Sequence, residues 1–359
     1  MLSLEYLENK AFTNKIVQMY QELNTEIVND IIRRLKSEGN ISSYTKAQIR
    51  NLTKRGGKEV FINALQKTNS LSAQRKKELI NLFSEIGIDN VESYKSLYDY
   101  KDEKLELSPS QINILNTMVK STDKELKNFT KTIAFSSQNE FVNAVDNMYF
   151  QVATGVIDFQ KAFRKTTNDL AEKGITLPMK NGVNRSLEAA VRQNVMYGIR
   201  QSVQLINDDI GEQLGCDGVQ INISPNCRPE HHVINGKRFR VKSKEWKDNK
   251  DLLKDYNCQH YATPIIYDIE DNIYSKAEIQ RANNKTIKYN NEEIPYYEAT
   301  QKQRALERQV RNAKKAYESS PSQENKAKVL QAQKNVRNYC NETGLERQYD
   351  REYFAGYNK

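Results

Sequence analysis

The sequence predicts a mainly α protein: an elongated helical bundle that carries a small α+β module, with a β-hairpin and clustered Cys and His residues, and ends in a helical hairpin. Two observations predict this class. Apolar residues recur every three or four positions through most of the first 215 residues and again after Pro295, which is helical spacing. Between these stretches apolar residues alternate with polar ones, which is typical of strands.

Four regions follow from these changes of pattern. Residues 1–125 are predicted as an N-terminal helical region and residues 126–215 as a helical core region. Residues 216–295 are predicted as the α+β module, and residues 296–359 as a basic helical hairpin tail.

Capping residues predict where two helices begin. Ser108 precedes Pro109 and stands three residues before Gln111, which is the order of a capping box with proline in the first turn. Ser137 stands three residues before Glu140, so the same chemistry predicts a new helix from this point.

Three further helices complete the predicted bundle. The opening helix runs to Gly39, and another begins at Asp158 and ends at Gly174, where a left-handed residue suits a helix end. The last spans about residues 186–215.

Strand patterns appear after residue 215. Residues 218–224 alternate, and residues 261–267 are rich in β-formers. Residues 233–241 place such residues on both sides of Asn235 and Gly236, a pair that suits a type I′ turn. The sequence therefore predicts a β-hairpin at 233–241.

The C-terminal region reads as two helices, at 299–319 and 321–340, joined by a short loop. Both are polar over most of their surface. Such helices tend to stand in solvent or to lean on a partner, so we expect this hairpin to project from the body.

Composition excludes several classes of protein. The 359 residues are 38% hydrophobic and 28% charged, with a mean hydropathy of −0.80 and no long uncharged apolar stretch. We therefore expect no membrane span, no signal peptide and synthesis in a cytoplasm-like space. Four cysteines are too few for a disulfide scaffold. A phosphate-binding loop, a nucleophile elbow and a zinc deaminase signature are absent from the sequence.

Positive charge is concentrated near the C-terminus. The net charge is +9, and residues 301–359 hold 13 Lys and Arg against 7 Asp and Glu. Basic side chains on a helix either contact phosphates or form a solvated face, and the sequence leaves both open. The candidates for non-specific contact with double-stranded DNA are Lys302, Arg304, Arg308, Arg311, Lys314, Lys315, Lys326, Lys328, Lys334 and Arg337.

A Cys/His cluster is the strongest sign of chemistry in the sequence. Cys227, His231, Cys258 and His260 fall close together, in two pairs that could face each other. Sulfur and imidazole nitrogen form the tetrahedral ligand set that Zn²⁺ prefers, which predicts a structural zinc site. Without a metal, buried cysteine and hydrogen-bonded histidine are ordinary packing residues, as we expect for Cys216 and Cys340.

An alternative function is a metal-dependent, HNH-like nuclease acting on DNA. His231 and His232, then Asn249, then His260 follow the order of such a site. That architecture places its last histidine on a helix, whereas the sequence around His260 looks extended.

A resemblance to a known family is carried by several motifs. They are Asn-Phe-Thr-Lys-Thr at 128–132, Gly155 with Asp-Phe-Gln-Lys-Ala at 158–162, Ala-Val-Arg-Gln-Asn-Val at 190–195, Arg-Pro-Glu-His at 228–231 with Asn-Gly-Lys at 235–237, Asn-Cys-Gln-His at 257–260 and Tyr-Glu-Ala-Thr-Gln-Lys-Gln-Arg-Ala-Leu-Glu-Arg at 297–308. Residues 126–316 thereby resemble the phage minor capsid protein family, in the minor capsid protein 2 group, which is related to the Mu F-like head-morphogenesis proteins.

The resemblance implies a non-enzymatic structural protein of the virion, present in a few copies at or near the portal of a tailed phage head. Its implied partners are the portal protein, the major capsid or scaffold protein and packaged DNA. The family pattern has a histidine where Ser224 stands and an arginine where Gln259 stands. If the cluster binds metal, Cys227 takes the place of the missing ligand; if it does not, the cluster is a hydrogen-bonded loop clamp.

Overall fold

A helical body forms the first part of the protein, and the mainly α class is confirmed. The computed structural model describes residues 14–95, 107–179, 182–255, 258, 260–354 and 357. The body consists of α1 (Lys15–Ser37), α2 (Lys46–Ser70), α3 (Ser72–Lys95), α4 (Pro109–Ala153), α5 (Phe159–Lys173) and α6 (Leu187–Gln213). Two short antiparallel strands, β1 (Thr176–Pro178) and β2 (Asn184–Ser186), connect α5 to α6. No helix in the described part of the chain is long and apolar enough to cross a membrane.

One apolar core joins these helices. It includes Ile27 of α1, Phe83 of α3, Phe141 of α4 and Val195 of α6, all almost fully buried. The predicted division at residues 125 and 126 falls inside α4, a single helix of 45 residues. Gly56 lets α2 approach α4 closely, because a β-carbon there would overlap the Phe141 ring.

Most predicted helix ends are confirmed, but the start at Ser137 is wrong. Ser108 and Gln111 form the predicted capping box of α4, Asp158 caps α5, and Gly174 ends α5 with φ of +65°. Ser137 lies within α4, and its hydroxyl donates to the Ile133 carbonyl instead of capping a new helix. Packing of the continuous apolar face of α4 therefore outweighs the local capping pattern.

The α+β module is built on a three-stranded antiparallel sheet in the order β4-β3-β5. These strands are β3 (Gly218–Ile221), β4 (Arg238–Arg240) and β5 (Ala262–Ile265). A 3-10 helix (Pro229–Val233) lies between β3 and β4, and α7 (Lys244–Asn249) and a second 3-10 helix (Lys250–Lys254) follow β4. The apolar core of the module is small and comprises Val219, Ile221, Ile234, Phe239, Trp246 and Ala262.

The β-hairpin predicted at 233–241 is wrong. Val233 ends a 3-10 helix, and β4 pairs with β3 instead of with a strand before Asn235. The helix α8 (Lys276–Asn283) precedes a two-stranded hairpin made of β6 (Thr286–Tyr289) and β7 (Glu292–Pro295). Its two-residue turn uses Asn290 and Asn291, with φ of 51° and 66°, which is the left-handed geometry that such turns need.

The helical hairpin at the C-terminus is confirmed. It consists of α9 (Tyr296–Ser319) and α10 (Gln323–Thr343), followed by a 3-10 helix (Tyr349–Glu352). The helices are antiparallel, because the Tyr339 hydroxyl near the end of α10 donates to the Ala299 carbonyl near the start of α9. Val310, Val329 and Val336 are fully buried between them.

The expectation that this hairpin projects from the body is wrong. Ala316 of α9 belongs to the core of the helical body. Arg311 of α9 also donates to Glu188 of α6, and Lys315 donates to the Lys173 carbonyl at the end of α5. Polar residues of α9 are therefore buried because they bind polar groups of α5 and α6. The amino-acid pattern of α9 alone does not reveal these partners.

Candidate metal centre and basic surface

Three of the four predicted metal ligands meet in the α+β module. His231 lies on the 3-10 helix after β3, and Cys258 and His260 lie on the segment that leads into β5. One ligand atom from each of the three residues lies within 4.8 Å of the other two. All three side chains are buried, at 1%, 2% and 5% exposure. The structure thus contains a candidate metal site.

The Cys258 sulfur is the centre of this cluster. Its Sγ lies 3.4 Å from Nδ1 of His231 and 3.7 Å from Nδ1 of His260. The backbone N–H of His260 also donates to Sγ, at 3.4 Å. The two imidazole rings are stacked with their centroids 5.6 Å apart. Both rings therefore present the same nitrogen to the same sulfur.

Each histidine is held from its opposite side. Nε2 of His231 lies 3.1 Å from Oδ2 of Asp255, to which Arg228 also donates. Nε2 of His260 lies 3.0 Å from Oδ1 of Asn235. Oriented histidines of this kind are typical of metal sites, where an outer acceptor fixes the proton position on the ring.

Burial keeps the histidines neutral. It lowers the pKa of His260 to about 3, assisted by the nearby His231 and Arg200. Burial also lowers the pKa of His231, although the hydrogen bond to Asp255 opposes this shift. Burial raises the pKa of Cys258, with partial compensation from the His260 N–H. Both imidazoles therefore have a free lone pair at neutral pH, which is the form that binds metals.

The fourth predicted ligand, Cys227, is buried in the same module but does not belong to the group of three. Burial raises its pKa to about 11, and Cys258 contributes to this shift. Cys227 is thus a neighbour of the cluster, and its role as a ligand remains a prediction. Cys340 packs in the core of the C-terminal hairpin, as expected, and Cys216 is half-buried.

Two observations bear on the nuclease alternative. His260 lies two residues before β5 and not on a helix. The Asn249 side chain donates to the Glu245 carbonyl within α7. His231 and His260 do lie close to each other, in the group of three that could hold a metal.

Three of the predicted DNA-contact residues are bound to other parts of the protein. Arg311 and Lys315 are 6% and 2% exposed, and both face Glu188. Lys314 is half-buried, donates to the Glu352 carbonyl and lies 5.3 Å from the centroid of the Tyr357 ring. Arg311 and Lys315 are therefore too buried to reach a phosphate, and the Lys314 ammonium already has a protein partner. Helical spacing alone does not distinguish them from exposed basic residues.

Other members of the set remain at the surface. Lys302 is exposed but stacks over Tyr289 at 3.9 Å, and Lys328 pairs with Glu324 at 3.2 Å. Arg304 is half-buried. The exposed candidates that remain for phosphate contact are Arg308, Lys326, Lys334 and Arg337.

Two features were not predicted from the sequence. Asp255 and Asn235 orient the histidines, but an acidic loop residue and an Asn-Gly pair give no sequence signal of that role.

A second basic row lies on α4, where four lysines at helical spacing are all exposed: Lys120, Lys124, Lys127 and Lys131. Their spacing of four, three and four residues was the signal that could have identified them.

The protein thus combines a helical body, a small Cys/His module and a C-terminal hairpin that packs on the body. Comparison of its sequence with models of known protein families identifies the family. The family model described as phage minor capsid protein 2 matches residues 5–343, nearly the whole chain. The protein therefore belongs to the phage minor capsid protein 2 family, a family of virion structural proteins. No curated protein and no solved structure matches the chain.

Proposed function

We propose that this protein is a non-enzymatic structural component of a tailed phage head that packs beside the portal, on the inner side of the shell. Family membership over residues 5–343 supports the head role. The long helices of the body support it further, because α4 alone has 45 residues and extends about 65 Å at 1.5 Å per residue. Rods of this length suit a brace between larger proteins, here the portal and the major capsid or scaffold protein.

The exposed basic face of the C-terminal hairpin contacts packaged DNA without sequence preference. Lys326, Lys334 and Arg337 lie within about 80° of one another around α10, beside its buried face, and Arg308 is exposed on α9. Contacts of this kind go to phosphates and depend on charge, not on base edges.

Salt titration of binding to duplex DNA tests this contact. A variant with Ala at Arg308, Lys326, Lys334 and Arg337 should bind more weakly, and each lost phosphate contact should reduce the slope of log K against log salt by about 1. The matched control removes the same charge from α4, with Ala at Lys120, Lys124, Lys127 and Lys131. Equal losses in both variants, or no salt dependence in the native protein, would contradict a specific role for the hairpin.

Cross-linking of purified heads tests the portal position. Amine-reactive cross-links should join lysines of this protein to the portal protein and to the shell. Cross-links that reach tail proteins alone would contradict the proposal.

The alternative nuclease function has a direct test. The native protein with Mg²⁺ or Mn²⁺ should leave a supercoiled plasmid intact. Nicking that disappears in His232→Ala would establish the enzyme and overturn the non-enzymatic assignment.

A further inference from the structure

The Cys258 thiol faces more acceptors than it can satisfy. A thiol has one hydrogen, yet Sγ lies within 3.7 Å of two imidazole nitrogens and also accepts the His260 N–H. Whether each of these nitrogens donates or accepts a hydrogen bond depends on which ring nitrogen carries the proton.

Asn235 determines the proton position on His260. The amide nitrogen of Asn235 donates to the Ser224 carbonyl and to Asn283, and its Oδ1 accepts the Ser224 N–H. These three bonds fix the amide orientation, so the oxygen faces Nε2 of His260 and accepts a hydrogen bond from its N–H. Nδ1 of His260 therefore carries a lone pair.

Asp255 determines the proton position on His231. A carboxylate only accepts hydrogen bonds, so the 3.1 Å contact places the ring proton on Nε2. Nη2 of Arg228 lies 3.1 Å from both the same nitrogen and Oδ2 of Asp255. A protonated Nε2 cannot accept from Arg228, so with this tautomer both groups donate to the carboxylate, as the hydrogen bond between His231 and Asp255 requires. Nδ1 of His231 therefore also carries a lone pair, directed at the same sulfur.

The single thiol hydrogen of Cys258 cannot satisfy both imidazole lone pairs. The thiol hydrogen can serve one nitrogen, which leaves the other lone pair against sulfur in a place that water reaches poorly. A divalent cation bound by all three atoms would satisfy every one of them, and the thiol would lose its hydrogen.

The spacing fits zinc. Bond lengths of about 2.05 Å to nitrogen and 2.3 Å to sulfur, at a tetrahedral angle, separate the two ligand atoms by about 3.6 Å. The observed nitrogen–sulfur distances of 3.4 and 3.7 Å lie on either side of this value. Mg²⁺ and Ca²⁺ prefer oxygen ligands, so a donor set of two nitrogens and one sulfur selects against them.

We propose that Nδ1 of His231, Sγ of Cys258 and Nδ1 of His260 bind one structural Zn²⁺ ion, with Asp255 and Asn235 as its outer hydrogen-bonding partners. The ion ties the 3-10 helix after β3 to the segment that enters β5. It compensates for the small apolar core of the α+β module, much as metals stabilise other small domains. Its presence does not depend on where in the phage head the protein sits.

Metal analysis of the full-length protein, purified without chelators, tests the site. The native protein should contain about one Zn per chain, and Cys258→Ser should contain at least about tenfold less after dialysis. Cys216→Ser is the matched control, because it replaces a cysteine that is outside the cluster, and it should keep the metal. A native protein without bound Zn that also fails to take up added Zn²⁺, or a Cys258→Ser variant that keeps its Zn, would overturn the proposal.

A second measurement on the native chain covers the case in which Cys258→Ser does not fold. Removal of Zn by a chelator should increase amide hydrogen exchange in residues 218–265 and leave α4 unchanged. Added Zn²⁺ should restore protection, and Mg²⁺ should not. Exchange that is insensitive to the chelator would show that the cluster is only a hydrogen-bonded clamp.

Discussion

Nε of Arg311 in the C-terminal hairpin lies 3.2 Å from Oε1 of Glu188 in α6, and both side chains are buried. Arg192 and Lys315 also face this carboxylate. Although burial by itself raises the pKa of Glu188, the three cations Lys315, Arg311 and Arg192 lower it to about 2. Burial also lowers the pKa of Lys315, although Glu188 opposes this shift. This buried charge cluster joins the tail to the body.

Arg311→Ala should destabilise the protein by about 3 kcal/mol, because it leaves a buried carboxylate with fewer partners. Arg308→Ala is the control, since Arg308 is exposed on the same helix and should cost less than about 0.5 kcal/mol. Urea unfolding measures both values. Equal stability of the two variants would show that the tail is not held by this contact.

Glu307 predicts a pH dependence of stability. Burial raises its pKa to about 7, with Arg351 and Arg311 opposing the shift, and neither carboxyl oxygen has a hydrogen-bond partner in the described part of the chain. The ordinary value is 4.5, so between about pH 4.5 and 7 the folded protein holds a proton that the unfolded chain has lost. The Glu307 contribution to stability is therefore present below pH 4.5 and is lost as the pH rises through 7.

Glu307→Gln should remove this dependence, which amounts to at most about 3 kcal/mol. Free energies of unfolding measured at pH 5 and pH 8 should differ less in the variant than in the native protein. The exposed Glu346→Gln should behave as the native protein does. A native-like pH difference in Glu307→Gln would contradict the assignment.

Asp255→Ala should weaken zinc binding by about 10–100-fold, because outer hydrogen-bond partners orient ligand histidines. Asp251→Ala is the control: Asp251 is a nearby exposed carboxylate that pairs with Lys254 instead of a histidine. Competition with a chromophoric chelator measures both affinities. An unchanged affinity in Asp255→Ala would mean that Asp255 does not position His231.

Cys227 is predicted to complete the tetrahedron as a second thiolate, in place of the histidine that the family has where Ser224 stands. The native protein loaded with Co²⁺ should show sulfur-to-cobalt absorbance from two thiolates, and Cys227→Ser should lose about half of it. An unchanged band would assign the fourth position to another ligand and leave the three-residue site intact.

Local chemistry was predictable from the sequence, and long-range pairing was not. The capping box of Ser108 and Gln111 was predictable because both of its residues lie within four positions of the sequence. Ser137 carries the same pattern but lies in a helix whose packing partners are distant in sequence. Arg311 resembled a surface residue because its partner, Glu188, is 123 residues away.

The candidate site was also predicted in part: its ligand residues were predicted, and the residues that orient them were not. Scarce residue types identified His231, Cys258 and His260, since three histidines in 359 residues rarely cluster by chance. The prediction of a hairpin turn at Asn235 was wrong because an Asn-Gly pair is typical of such turns. The hydrogen bond of Asn235 to His260 spans 25 residues, so the local sequence does not indicate it. The hairpin turn at Asn290 and Asn291 lacks the glycine that makes such turns recognisable.

Absolute quantification of this protein in purified, DNA-filled heads tests the central claim most directly. A structural component beside the portal should co-purify with the heads through a high-salt wash, at a fixed ratio to the portal protein and far below the major capsid protein. Its absence from washed heads, while it is abundant in the infected-cell lysate, would contradict a structural role in the phage head.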